Sequence, residues 1–536
     1  MGTYDIPYYL DYLGEPLLKK LEEQGESVAA VPGLSVTPGL RESFPHIETD
    51  EALEFVCELY RRTRDELRRV LDQRGKDRAF IDRAVAECTE NNIGRDYQSP
   101  DYETPIGRTD ADARVVVGPL PADQRISPEA LEPVGVPEFM EGIQVTLFGP
   151  PDTAKMSINA MNALHRRPKN EPSLVTELVE ESGAVPRWGA DNEDSQTPIM
   201  RTFLKACENL VGCFDGTIRF VDEERQKTYE LADDKLAKPI KRIPGLALPD
   251  GNHLLDGQPL PLHLFDFAMH LFHNWQRPEA LIFYVPKLEN EEEAAYVKSL
   301  IGEAEAMVRE RHPEYEAGSV RLFIVFENPR AIFRIREIAQ ALSPHFLGGS
   351  LGWHDFLAST ARVFRNDPRY RIPVKADPNI VINHIKESHE ILARALDPLE
   401  AIKIGGMYGV LFEGGNRESF EVSMVGYIRD VVAQLKRGLD GFWVAHPDFV
   451  RPGIALVEAF HRSQKDPDSD VLERLIEQLV PDPVEREPLL EFVFGEDVPG
   501  LPEDDPRYLR GVLAANVETS DVIANDDPEE VRYNVF

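Results

Sequence analysis

The sequence predicts an α/β protein built on a closed (β/α)8 barrel, and three observations carry that prediction. Eight short apolar runs bounded by Gly and Pro follow one another between Val145 and Val444. Segments of helical period lie between many of them, the pattern of repeated strand-helix units. Polar residues close several of the runs, at the end where a parallel barrel carries its chemistry.

The runs are Val145–Phe148, Val185–Trp188, Pro239–Arg242, Leu281–Val285, Leu322–Val325, Phe346–Leu347, Ile402–Ile404 and Phe442–Val444. Amphipathic segments at Glu291–His312, Ala331–Ser343, Pro378–Leu396 and Pro452–Gln464 are long enough to cover barrel strands. Thr217–Leu231 reads as a hairpin inserted between barrel units.

Three domains are expected. In residues 1–138, Leu53, Val56, Leu59, Leu67, Val70 and Leu71 recur at helical spacing, which predicts a mainly helical domain clasping the barrel. It ends in a Pro-, Asp- and Gly-rich connection between Asp96 and Pro137, with a short strand expected at Val115–Val117. Residues 139–465 form the TIM barrel. Residues 466–536 form a C-terminal, mainly helical module with helices over Val471–Val480 and Glu487–Phe494. Asp526-Asp527-Pro528-Glu529-Glu530 is a helix start with an N-cap, a Pro at the first position and acids in the first turn. Phe536 follows within about two turns, so this module is expected to be cut short.

Lys and Arg number 59 against 94 Asp and Glu, a net charge of −35 spread along 536 residues. That charge argues against nucleic acid as a partner and for a soluble chain whose self-repulsion a salty cytoplasm would screen. The four cysteines form no C-x-x-C pair, which fits a reduced compartment. No apolar run approaches the ~20 residues of a membrane span, and the N-terminus lacks the regions of a signal peptide. A cytoplasmic protein is expected, with its oligomeric state open.

Acidic residues 191, 193 and 194 follow the second run, Arg242 closes the third, Glu327 follows the fifth and Asp355 the sixth. Carboxylates without clustered Cys or His favour a hard cation such as Mg²⁺. Acids at strand ends also cap the helices that follow, and for any one of them that reading stands beside the first.

Lys155-Met156-Ser157-Ile158-Asn159-Ala160-Met161-Asn162 resembles a stretch of the malate synthase family, most similar to its A-type isoform. In the same order, Asp191–Pro198, Leu255–Pro259 with Leu264–Phe267 and Phe272–Asn274, Tyr284–Glu289, Gly405–Met407 and Trp443–Pro447 resemble further family motifs. The resemblance covers roughly 142–460.

The resemblance implies a Mg²⁺-dependent acyltransferase that condenses acetyl-CoA with glyoxylate and hydrolyses the product to malate and CoA. Such an enzyme serves the glyoxylate bypass and supplies the tricarboxylic acid cycle. By the same resemblance Glu327 and Asp355 hold the metal and Arg242 stabilises the enolate. Gly352 and Trp353 seat the glyoxylate carboxylate and Trp443 walls the pocket, although barrel packing explains Trp443 equally well. Arg166, Arg167 and Pro447 are candidate CoA contacts, and the basic run 165–169 reads equally as a solvated turn.

The chain departs from the family pattern at Ile243-Pro244, Asn328-Pro329 and His354. The family's general base, an aspartate in a C-terminal helical motif, is not found before Phe536 and is expected beyond it. Two alternatives stay open: a malyl- or citramalyl-CoA lyase or thioesterase of the same superfamily, and a non-catalytic protein that binds acyl-CoA or a 2-oxo acid.

Overall fold

The computed structural model describes residues 6–9, 13–14, 19, 23–95, 99, 101–168, 171–193, 199–367, 381–409, 417–497 and 500–513. Eight strands form the barrel: β1 (Gln144–Gly149), β2 (Arg187–Asp191), β3 (Lys238–Arg242), β4 (Ile282–Val285), β5 (Arg321–Phe326), β6 (Phe346–Leu351), β7 (Ile402–Tyr408) and β8 (Gly441–Val444). Each pairs in parallel with the next, and β8 pairs with β1, so the sheet closes in sequence order. Every apolar run read from the sequence falls on one of these strands. The second is displaced toward Asp191, because Pro186 has no N–H for the ladder and only accepts, from Lys238 N at 2.9 Å.

The inside of the barrel is a packed core in which Ile240, Tyr284, Phe323, Leu347, Ile404 and Trp443 meet. Closure between β8 and β1 needs Gly441, where a Cβ would lie 2.0 Å from Gln144 O.

The helices follow from their ends. Glu291–Arg311 starts at Asn290, whose side chain accepts from Glu293 N; acids fill its first turn and Arg309 and Arg311 its last, which suits the helix dipole. Val450–Lys465 covers the segment expected at Pro452–Gln464. The segment expected at Ala331–Ser343 splits into a 3-10 turn, Ala331–Phe333, and a helix, Ile335–Leu342. Of Pro378–Leu396 the described part is helical from Val381 onward. The insertion between β2 and β3 is an antiparallel hairpin, Phe220–Asp222 with Lys227–Tyr229. Lys155 Nζ reaches Asp222 Oδ2 at 2.9 Å and lies over the Tyr229 ring at 5.0 Å.

In the N-terminal region one helix, Asp50–Asn91, carries the apolar stripe, capped by Thr49 Oγ1, which accepts from Ala52 N. It packs against the helices Leu262–Asn274 and Glu291–Arg311. A buried ion network pins it there. Arg74 holds Glu293 through two 2.7 Å hydrogen bonds, and Arg330 joins Asp77 on the helix to Glu289 after β4. Helix does not account for the rest. Leu34–Val36 pairs antiparallel with Pro249–Leu255 of the barrel chain, within a four-stranded sheet. Val115–Val117 makes no strand; Val115 forms one isolated bridge to Thr109, because the Pro and Gly around it leave no partner of matching length.

Beyond the barrel, Val471–Leu479 and Pro483–Phe494 pack on the helices Val450–Lys465 and Arg417–Lys436. The helix start expected at Asp526–Glu530 lies outside the described residues. Among the described residues no helix is long and apolar enough to cross a membrane.

His253, fully buried, joins the N-terminal segment to the four-stranded sheet: Nδ1 lies 2.5 Å from Asp250 Oδ2 and Nε2 2.7 Å from Glu48 Oε1. Burial works against its charge, but the two carboxylates outweigh burial and raise its pKa to about 10, from an ordinary value of 6.5. A raised folded-state pKa gives stability that is complete below 6.5 and is lost as pH climbs through about 10. The destabilisation caused by His253→Gln is therefore expected to be greatest at pH 6.5 and below and to shrink toward pH 10, measured by urea denaturation of both proteins across that range.

Candidate active site

At the carboxyl ends of the strands the barrel opens into a cleft of about 390 Å³. Its walls include Arg242, Glu327, Gly352, Trp353, Asp355 and Trp443, all six residues that the sequence reading assigned to substrate or metal. Phe148, Asp191, His354, Met407 and Ala445 complete much of the rest.

Arg242, the last residue of β3, lies against Asp191, the last of β2. Its Nε is 2.7 Å from Asp191 Oδ1 and its Nη2 2.8 Å from Oδ2, a two-pronged pair that fixes the guanidinium plane. Nη1 is 3.4 Å from Glu193 Oε2, and the Phe148 ring lies 5.2 Å from the guanidinium carbon. The loop holding Asp191 is braced from outside the barrel. Asn192 N donates to Arg242 O at 3.0 Å, and its side-chain amide donates to Asp266, which also meets Lys241 at 2.8 Å.

Glu327, one residue past β5, is almost wholly buried and accepts from Lys287 N at 2.9 Å. Burial pushes its carboxyl well above the usual range; Glu193 and Asp355 push the same way, and Lys287 and Arg242 offset this only in part. Lys287 Nζ bonds Glu193 and lies 3.5 Å from Asp355 Oδ2. Asp355 sits in the first turn of the helix Trp353–Phe364, which Gly352 begins.

Trp443 Nε1 donates to Tyr284 OH at 3.3 Å, and its ring centroid is 4.1 Å from that of Phe148. The residue therefore belongs both to the barrel core and to the cleft wall. Arg166, Arg167 and Pro447 lie outside the cleft lining. Arg166 Nε meets Asp448 Oδ1 at 2.5 Å, next to the turn that Pro447 begins, and Arg167 Nη2 lies 3.4 Å from Glu180.

The sequence reading passed over Lys287 as a site residue although it quoted the run Tyr284–Glu289 as a motif. Pro286 separates it from the end of β4, so the rule of a polar residue closing an apolar run missed it. Glu193 was read only as one member of an acidic stretch. Phe148 was counted as strand.

Among the described residues no set of three or more His, Cys, Asp and Glu side chains is arranged as a metal site. Of the three carboxylates that line the cleft, Asp191 is taken by Arg242, which leaves Glu327 and Asp355, and no thiol is among the lining residues. That donor set fits Mg²⁺, which is commonly held by one or two carboxylates with waters and substrate oxygens making up the rest.

Gly352 is required by the packing. A Cβ there would lie 2.4 Å from Glu327 Oε2 and 2.8 Å from Glu327 Cβ. Gly352→Ala is expected to lower stability by about 1–3 kcal/mol through overpacking, read as a lower denaturation midpoint.

Residues 239–474 match the family model described as malate synthase, TIM barrel domain. Glyoxysomal malate synthase of Brassica napus is 27% identical over 425 residues, covering 78% of this chain and 66% of that protein. Its counterpart in Cucumis sativus is 29% identical over 322 residues, covering 59% and 52%. The chain thus spans about two thirds or less of the length of these relatives. A solved magnesium and glyoxylate complex of Haloferax volcanii malate synthase aligns with 70% of this chain and 98% of its own at 14% identity, with a TM-score of 0.38. The match over 239–474 makes this part of the barrel similar to the TIM barrel domain of malate synthases.

Proposed function

We propose that this barrel catalyses the Mg²⁺-dependent condensation of acetyl-CoA with glyoxylate, followed by hydrolysis to malate and CoA. The observation that carries the reading is the meeting, in one cleft of a malate synthase-like barrel, of a fixed arginine with two metal-type carboxylates and a helix N-terminus.

Glu327 and Asp355 are the residues that would hold Mg²⁺. When bound, the cation supplies Lewis-acid polarisation of the glyoxylate carbonyl. The amides at Gly352 and Trp353, at the start of a twelve-residue helix, suit the glyoxylate carboxylate, since they carry the positive end of the helix dipole. Arg242 stabilises the negative charge that develops on the thioester oxygen when a general base takes a methyl proton from acetyl-CoA. The new C–C bond forms between the methyl carbon and the aldehyde carbon, and water then cleaves the thioester to release CoA. Because Asp191 already fixes the guanidinium, little reorganisation accompanies the charge. Trp443 and Phe148 wall the cleft with aromatic surface and limit water. Arg166, Arg167 and Pro447 are assigned to the approach of CoA.

The test is thiol release from acetyl-CoA plus glyoxylate by the full-length protein, with and without Mg²⁺. Release that needs both substrates and the metal is expected. Arg242→Ala is expected to lower kcat by about 10²–10³, the cost of losing one preorganised oxyanion partner. Glu327→Gln and Asp355→Asn are expected to abolish the response to Mg²⁺. Cleavage of malyl-CoA without condensation would replace this reading by a lyase. Mg²⁺-dependent glyoxylate binding without turnover would replace it by a binding protein.

A further inference from the structure

We infer that Lys287 is a built-in counter-ion of the carboxylate site, holding in the metal-free protein the place that a divalent cation takes and moving aside when the cation binds. The inference rests on the proposed metal role of Glu327 and Asp355.

Three contacts converge on this one residue. Its backbone N–H donates to Glu327 Oε1 at 2.9 Å, its ammonium bonds Glu193, and the same ammonium lies 3.5 Å from Asp355 Oδ2. One lysine thus touches three carboxylates from three different strand ends, after β2, β5 and β6. Its backbone is left-handed, with φ 56, a conformation that a side chain with a Cβ rarely adopts. Such strain persists where surrounding contacts over-determine it, and here the turn lets both the amide and the ammonium reach the acidic cluster.

Burying this much like charge without a cation is costly, and the lysine offsets it. A permanent counter-ion would compete with a metal, so the side chain needs somewhere to go. A cavity of about 450 Å³ adjoins it, lined by Lys287, Glu193 and Glu327 on one side and by Arg74, Arg78, Arg330, Arg362 and Arg365 on the other, where Glu289 is paired with Arg330 and Asp82 with Arg365; that wall repels an ammonium, so the way out is to solvent. The side chain is already about one third exposed. The ammonium can swing outward into water while its backbone N–H keeps Glu327 in place.

The test is calorimetric titration of Mg²⁺ into the metal-free full-length protein at low ionic strength, without substrate. Removing an internal competitor raises apparent affinity by the fraction of time the site was blocked. Lys287→Met and Lys287→Gly are expected to bind Mg²⁺ roughly tenfold more tightly than wild type, with the difference shrinking at high salt. Lys287→Gly accepts the left-handed backbone without strain and so guards against a folding defect. Lys287→Arg, which keeps the charge, is expected to match wild type. Equal or weaker binding by both Met and Gly variants overturns the counter-ion role and leaves the metal site standing. Wild-type binding that Glu327→Gln does not weaken, or no wild-type binding at all, overturns the metal reading and this inference with it.

Discussion

Carboxylates crowd one end of a closed barrel, and the rest of the site is arranged around keeping them there. Asp191, Glu193, Glu327 and Asp355 come from three separate strand ends, and three of the four are nearly sealed from water. Like charges gathered this closely are costly without cations among them. Here Arg242 takes Asp191 in both prongs, and Lys287 reaches the other three. The same balance of buried charges recurs outside the mouth, where Arg74 and Arg330 bind Glu293, Glu289 and Asp77 and fasten the long N-terminal helix to the loops that follow β4 and β5. The clasp and the site share one electrostatic frame, since Lys287 and Glu289 stand two residues apart on that loop.

Much of this was legible in the chain. A parallel barrel strand is buried on both faces, so it shows as a short continuous apolar run, and all eight were readable. The polar residue just past such a run sits at the barrel mouth by topology alone, which is why Arg242, Glu327 and Asp355 could be named. What escaped depends on distance in three dimensions. The pairing of Arg242 with Asp191 spans 51 positions, and no period encodes it. Lys287 hides behind a proline. The strand Leu34–Val36 was read as part of a helical region because its partner, Pro249–Leu255, lies more than two hundred residues away. Val115–Val117 shows the opposite error, β-branched residues without a neighbouring strand to pair with.

Asp266 illustrates how support is layered beneath the cleft. It lies outside the barrel wall, fully buried, with Lys241 on one side and Asn192 on the other. Lys241 and Arg242 are consecutive on β3 and point to opposite faces, as alternation in a strand requires. One therefore anchors the wall from behind while the other works in front.

In the run Lys155–Asn162, which resembles a stretch of malate synthases, Lys155 and Asn162 serve architecture. Lys155 grips the hairpin through Asp222 and Tyr229, and Asn162 binds Glu230 O and Ala232 N on the segment leaving it. Hairpin and helix therefore form one attached unit. In recombination between relatives, a hairpin transferred without the matching helix would arrive with its anchor points missing, whereas the two exchanged together would carry their own attachment and leave the barrel mouth undisturbed.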